Sequence, residues 1–393
     1  MSLYRLARLR RCLPRGRQLS GGGAGGRDTP PPPESLSSRL EPTLPSVDRQ
    51  WSSAALYPAG SRGRQSQARR SARPPVDPRA TSVVLAPGQG AQRVGMADRL
   101  LDYPNVADMF AEASELLGYD LLELCRRGPA DRLDRTEHAQ PALLVTSLAA
   151  VERLRDERPR AVESCMAAAG FSVGELAALV FSGALSFPAA VRLAHVRGRA
   201  MQLASELAPS GMMTVLCRPD ARVGFACSLA RRWCGERGLE APECRVASFL
   251  FPQCKVLAGH AQALDFIAER ATEFGLRRCT RLRVSGAFHT PLMAPAAEPL
   301  RAALADVRIS EPRVPVYSNV DGRRYRSAEQ VRRRLVEQLT RPVKWEQTMH
   351  VLYERSPGVP FPETYECGPG DTLQTILRKV NAKAADSCYS VEV

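Results

Sequence analysis

The chain has few histidines, and its cysteines follow no ligand pattern. Its 393 residues include five histidines and eleven cysteines, with no C-x-x-C pair and no alternation of the two types. That spacing excludes the common zinc modules, and scattered cysteines in a chain of this size fit reduced thiols better than a disulfide framework. No metal and no cofactor is expected. Long apolar runs are also missing, since none approaches the roughly 20 residues that a membrane-spanning helix requires. Aromatics make up only 6% of the chain and follow no RNA-binding signature. Lysine is absent through Ala80, where fifteen arginines stand against five acids. The net charge of +14 invites nucleic acid or an anionic surface, but only +4 of it falls after Ala80. Neither nucleic acid nor a membrane span is therefore an expected partner of the globular part.

Among the residues that are present, the stretch Ala168-Ala169-Gly170-Phe171-Ser172-Val173-Gly174-Glu175 organises the rest. Small apolar residues precede it and suit a buried strand, while Leu176-Ala177-Ala178-Leu179 after it are strong helix formers. A strand, a glycine-flanked serine and a helix make a G-x-S-x-G elbow, which projects the serine hydroxyl above a sheet. The helix start beneath it offers unpaired N–H groups and a positive dipole end to a developing oxyanion. The bland alternative is a loop that has glycines around a serine by chance.

The chain before and after this elbow divides by texture. Arg5, Arg8, Arg10, Arg11, Arg15 and Arg17 lie in an acid-free leader in which Leu3, Leu6, Leu9 and Leu13 recur at helical spacing. That is the composition of a mitochondrial transit peptide, with a disordered basic tail as the alternative. Gly, Pro, Ser and Arg then dominate to Ala80, too little apolar surface to offset ordering entropy, so residues 1–80 read as leader and linker.

The expected fold class is α/β. A large, α/β-hydrolase-like domain with a parallel-sheet core would comprise 81–208 and 284–384, and a small ferredoxin-like α+β insert 209–283. Residues 385–393 would be a tail. The insert follows from strand, helix, strand, strand, helix and strand patterns, with helices at 223–232 and 261–274. In the large domain, strands are expected at 82–86 and 314–320, and helices at 141–155 and 188–207.

An activated serine needs a base, usually histidine. His195 lies inside a helix pattern, His260 follows a strand of the insert, and His350 sits on a late amphipathic helix. His289 stands in the small-residue turn Ser285-Gly286-Ala287-Phe288, where a chain leaving a strand can face a cleft. Spacing alone does not choose between them.

Five motifs together carry a family resemblance. Gly88-Gln89-Gly90, Gly170 to Glu175, Arg197-Gly198-Arg199-Ala200-Met201-Gln202, Ala287-Phe288-His289 and Glu366-Cys367-Gly368-Pro369-Gly370 occur in the order seen in malonyl-CoA:acyl carrier protein transacylases. The chain resembles that family from about Thr81 to Val380, and its leader resembles that of mitochondrial members. The resemblance implies Ser172 as nucleophile, His289 as general base, and the backbone N–H groups of Gln89 and Val173 as oxyanion hole. It further implies Arg197 as the ligand of the malonyl carboxylate, and the backbone carbonyl of Gln338 as the group that orients the histidine. Malonyl-CoA and the phosphopantetheine arm of acyl carrier protein would be the partners, and the expected enzyme is a monomer of the mitochondrial matrix. Two positions depart from the family pattern: Phe171 replaces a histidine, and Cys254 replaces a frequent glutamine.

Two rival readings use the same residues. A serine hydrolase also uses G-x-S-x-G, but places an acid between its serine and a late histidine. A basic RNA-binding protein would need its charge on the fold rather than in the leader. The leader reading has a direct check: residues 1 to about 30 fused to a fluorescent reporter should carry it into mitochondria. A reporter that stays in the cytosol removes the targeting assignment.

Overall fold

The computed structural model describes residues 76–356 and 358–393; the leader and nearly all of the linker lie outside them. Among the described residues the chain forms strands β1 (Ser82–Ala86), β2 (Cys165–Gly170), β3 (Ser210–Cys217), β4 (Cys244–Phe251) and β5 (Cys254–His260). It continues with β6 (Leu276–Arg281), β7 (Val316–Tyr317), β8 (Val343–Lys344), β9 (Glu363–Cys367) and β10 (Cys388–Val391). The helices that frame the site are α1 (Thr136–Glu157), α2 (Gly174–Phe181), α3 (Phe187–Glu206) and, in the insert, α4 (Val223–Gly235) and α5 (Ala261–Glu269). Two later ones are α6 (Ala328–Gln338) and α7 (Trp345–Tyr353).

The larger sheet has the order β10-β9-β1-β2-β7, and every neighbouring pair is parallel. A parallel sheet needs both faces covered, which is why β1 is buried throughout and, after Ser82, wholly apolar rather than alternating. Val84 and Ala86 enter one core with α1, α2 and α3, while Val83 and Leu85 enter the other with Trp345 and Met349 of α7. The carboxyl ends of these strands form one edge, and Ser172 follows directly from β2 there. Open α/β sheets bind their ligands at that edge.

The second sheet has the order β6-β3-β5-β4-β8. Strands β3 to β6 with α4 and α5 run βαββαβ with antiparallel pairing, the ferredoxin-like pattern; β8 adds a short parallel strand beside β4. One face of this sheet buries Met213, Val215 and Leu257 against Ala226 and Ala230 of α4 and Leu264 and Ile267 of α5. From the other face Met212, Val256 and Ala258 join the core of the large sheet. The insert is thus packed onto the body through apolar side chains.

Three elements differ from the sequence reading. Helix α1 begins at Thr136 and runs through Pro141, because a proline in the second turn forfeits one hydrogen bond near an end that packing holds. The strand expected over 314–320 is only Val316–Tyr317, since the backbone turns at Ser318, which accepts from the Gly322 N–H. Residues read as a tail instead close the large sheet as β10, with Cys388 and Val391 buried. Four residues of which only the first and last are buried show no strand period in sequence.

Candidate active site

The elbow is built by contact as much as by sequence. A Cβ placed on Gly174 would lie 2.3 Å from the carbonyl oxygen of Ala86, so only glycine lets α2 start this close to β1. Ser172 takes φ 53°, a left-handed conformation that costs a non-glycine residue on the order of 1 kcal/mol. Asn319, just past β7, holds it there. Its Oδ1 accepts from the Ser172 N–H at 2.7 Å, and its Nδ2 donates to the Gly170 carbonyl at 2.7 Å.

His289 is also left-handed, at φ 61°, and buried. Its Nε2 lies 2.9 Å from Ser172 Oγ, and its Nδ1 lies 2.7 Å from the main-chain oxygen of Gln338. A carbonyl oxygen only accepts, so Nδ1 carries the proton and Nε2 turns its lone pair to the serine. Burial and the positive charge of Arg197 push His289 down to about 4, with the Gln338 carbonyl pulling partly back. The neutral ring is therefore the form present at neutral pH.

Arg197 projects from α3, which approaches α1 closely at Gly198; a Cβ there would sit 2.7 Å from the Thr136 carbonyl. Its guanidinium donates to Gln140 Oε1 of α1 at 2.6 Å, to Gln338 Oε1 at 2.7 Å and to Ser172 Oγ at 3.2 Å. Arg197 is only 2% exposed, and burial lowers its pKa to about 10, which leaves it charged at neutral pH. Among the described residues no carboxylate lies within ion-pair distance of it, so three neutral oxygens are its partners.

Gln338 has a third role. Its Nε2 donates to Glu175 Oε2 at 2.6 Å and to the Ser172 carbonyl at 3.2 Å. Glu175, fully buried in the first turn of α2, also accepts from the Asn319 N–H at 3.0 Å and from the Tyr325 hydroxyl. Burial pushes its carboxyl up to about 7, against the hydrogen bonds of Tyr325, Asn319 and Gln338 and the charge of Arg197.

The two N–H groups named for the oxyanion, those of Gln89 and Val173, make no hydrogen bond among the described residues. The Gln89 loop leans on the elbow, for a Cβ on Gly88 would meet the Phe171 carbonyl at 2.6 Å. The Gln89 side chain turns away to Thr136 Oγ1 at 3.1 Å. Phe171 meets Trp345 edge-on at 5.4 Å, so this departure from the family pattern is packed against α7. Cys254 is buried at the start of β5, where burial pushes its thiol up to about 11.

The structure thus brings Ser172, His289, Arg197 and Gln338 into one hydrogen-bonded cluster. The other histidines lie away from Ser172. His260 accepts from the Glu243 N–H, His350 faces Glu346 on the exposed side of α7, His195 is half-buried in α3, and His138 meets the Tyr119 ring edge-on. Sequence reasoning missed Gln140, Asn319 and Tyr325, and it gave Glu175 no role. A buried acid opening an otherwise apolar helix, and an asparagine just past a parallel strand, were the available signals.

The histidine environment gives a first check. An NMR titration of the His289 ring should show a midpoint near 4, and Arg197→Ala should raise it by removing a repelling charge. A wild-type midpoint at 6.5 or above would contradict the burial and charge assigned here.

Comparison with known proteins gives one answer. The acyl transferase domain model matches residues 83–361. A probable mitochondrial malonyl-CoA-acyl carrier protein transacylase of Drosophila melanogaster is 53% identical over 319 residues, covering 81% of this chain and 84% of its own. The mitochondrial malonyl-CoA-acyl carrier protein transacylase of Homo sapiens is 52% identical over 312 residues, covering 79% and 80%. A malonyl-transacylase solved in complex with a type II PKS acyl-carrier protein is 32% identical with a TM-score of 0.69, covering 79% of this chain and 94% of that one. The protein belongs to the acyl transferase family, among its malonyl-CoA–acyl carrier protein transacylases.

Proposed function

We propose that this chain transfers the malonyl group of malonyl-CoA to the phosphopantetheine thiol of acyl carrier protein, through a malonyl ester on Ser172. Its setting would be the mitochondrial matrix, and it would act as a monomer, with residues 209–283 serving as one subdomain against a body of 81–208 and 284–393 that includes β10. Acyl transfer fits the serine–histidine pair; what singles out malonyl is the state of Arg197. A buried guanidinium whose direct partners are neutral amides and a hydroxyl lacks an ion-pair partner of its own, Glu175 acting on it only from beyond Gln338. A carboxylate brought in on the acyl group supplies the missing anion, and a guanidinium fork can grip it with two parallel N–H···O bonds. An acetyl group offers nothing in exchange.

The proton balance follows from the tautomer of His289. As Ser172 Oγ bonds the thioester carbon, its proton passes to Nε2, and charge develops on the thioester oxygen beside the Gln89 and Val173 N–H groups. The C–S bond then breaks, and the coenzyme A sulfur leaves with the proton from Nε2. In the second half-reaction the carrier thiol yields its proton to Nε2 and attacks the ester carbon, and Ser172 leaves as the hydroxyl. Among the described residues the partner of Nδ1 is the Gln338 carbonyl and not an aspartate, so it is that carbonyl which stabilises the imidazolium. A thiol is a good leaving group, and a weak base whose conjugate acid gives its proton up readily suits that step. The absence of an acid at Nδ1 also favours transfer over the hydrolase reading.

Arg197 provides the test. Removing one partner of a buried, hydrogen-bonded charge pair costs about 2–5 kcal/mol, roughly 30- to several-thousand-fold in rate. In Arg197→Ala, the ratio of kcat/KM for malonyl-CoA over acetyl-CoA should fall by at least about tenfold. A ratio that stays at the wild-type value would show that Arg197 does not receive the malonyl carboxylate.

A further inference from the structure

Beneath the nucleophile lies an acid that neither the proton transfer nor the grip on the malonyl carboxylate touches. Glu175 is fully buried, and Tyr325, the Asn319 N–H and Gln338 Nε2 all point at its two oxygens. Its partners are the site's own supports. Asn319 fixes the Ser172 backbone, while Gln338 contacts both His289 and Arg197.

Gln338 is where orientation matters. A glutamine amide has two faces of nearly equal shape, one donating and one accepting. Only one orientation lets Gln338 Oε1 accept from Arg197 at 2.7 Å; the reverse sets an NH2 group against the guanidinium. The local contacts do not settle the choice equally. The Ser172 carbonyl at 3.2 Å favours the observed orientation weakly, and the Glu175 oxygen at 2.6 Å favours it strongly. Asn319 Oδ1, at 3.5 Å, adds little.

We propose that Glu175 is a positioning residue for malonyl selectivity: by accepting from Gln338 Nε2 it turns Gln338 Oε1 toward Arg197 and so sets the guanidinium beside Ser172. The proposal rests on the reading of Arg197 as the carboxylate ligand. What Glu175 contributes is an acceptor oxygen at the right reach rather than its charge. Two conservative substitutions separate the two properties. Glu175→Asp keeps the charge but withdraws the oxygens by one methylene, so Gln338 loses its acceptor. Glu175→Gln loses the charge but keeps one oxygen for Gln338 and Asn319, while its NH2 group turns to the Tyr325 hydroxyl, which can accept as well as donate.

The experiment measures kcat/KM for malonyl-CoA and acetyl-CoA in wild type, Glu175→Asp, Glu175→Gln, Gln338→Met and the Glu175→Asp/Gln338→Met double variant, with Arg197→Ala as reference and Tm recorded for each. The malonyl-to-acetyl ratio should fall at least about tenfold in Glu175→Asp and stay within about threefold of wild type in Glu175→Gln. In the Gln338→Met background, Glu175→Asp should change the ratio no further, because its effect runs through that amide. A buried acid that served stability alone would lower Tm and depress both substrates together. The opposite order, with aspartate tracking wild type and glutamine losing the ratio, overturns the proposal in favour of charge. Multiplicative losses in the double variant overturn it as well. If Arg197→Ala leaves the ratio unchanged, the carboxylate reading fails and takes this assignment with it. If Arg197→Ala collapses the ratio but Glu175→Asp does not, Glu175 alone is misassigned.

Discussion

The site depends on burying a cation whose direct partners are all neutral, with the nearest acid, Glu175, held one amide away. Removing a guanidinium from water costs several kcal/mol, even after the surroundings relax. This fold meets that cost for Arg197 with amide oxygens from Gln140 and Gln338, which satisfy its hydrogen bonds without cancelling its charge. The charge then acts twice. It is ready for an acidic acyl group, and it adds to burial in keeping the neighbouring imidazole neutral, hence able to accept the Ser172 proton. An aspartate beside Arg197 would make a more comfortable interior, but it would occupy the guanidinium and leave burial alone to hold the imidazole neutral.

Close backbone approach makes this arrangement possible. Gly174 lets α2 sit on β1, which raises Ser172 to the sheet edge, and Gly198 lets α3 sit on α1, which brings Arg197 within reach of Gln140. Both reacting residues occupy left-handed backbone, Ser172 under the clamp of Asn319 and His289 in the turn that returns the chain from the insert. Local strain of this kind persists where packing over-determines it, as it does at many reactive centres. Selectivity and reactivity thus have one structural origin, a set of helices pressed together at glycines around an amide network.

Sequence patterns revealed the parts of this design that repeat or stand out. Strands β1 and β2 were readable because burial on both faces leaves them mostly small and apolar, and the insert because its texture alternates strand and helix. The G-x-S-x-G elbow announced itself through its glycines. Gln140 gave no such sign, since a glutamine in a long helix looks like surface until the neighbouring helix is placed. Asn319 and Tyr325 reach the elbow only through a turn after β7, a contact spanning about 150 residues of chain. The choice among the histidines likewise depended on tertiary proximity, which spacing does not contain. Strand β10 was missed because its four residues, buried only at the two ends, show no strand period, although they complete the edge of the sheet.

The covalent route is the central claim, and intact-mass spectrometry tests it most directly. On mixing with malonyl-CoA in the absence of carrier protein, the chain should gain a single malonyl group. Peptide mapping should place that group on Ser172, adding acyl carrier protein should remove it, and Ser172→Ala should never acquire it. Malonyl transfer by the alanine variant, or an adduct on another residue that turns over at the same rate, would contradict the mechanism.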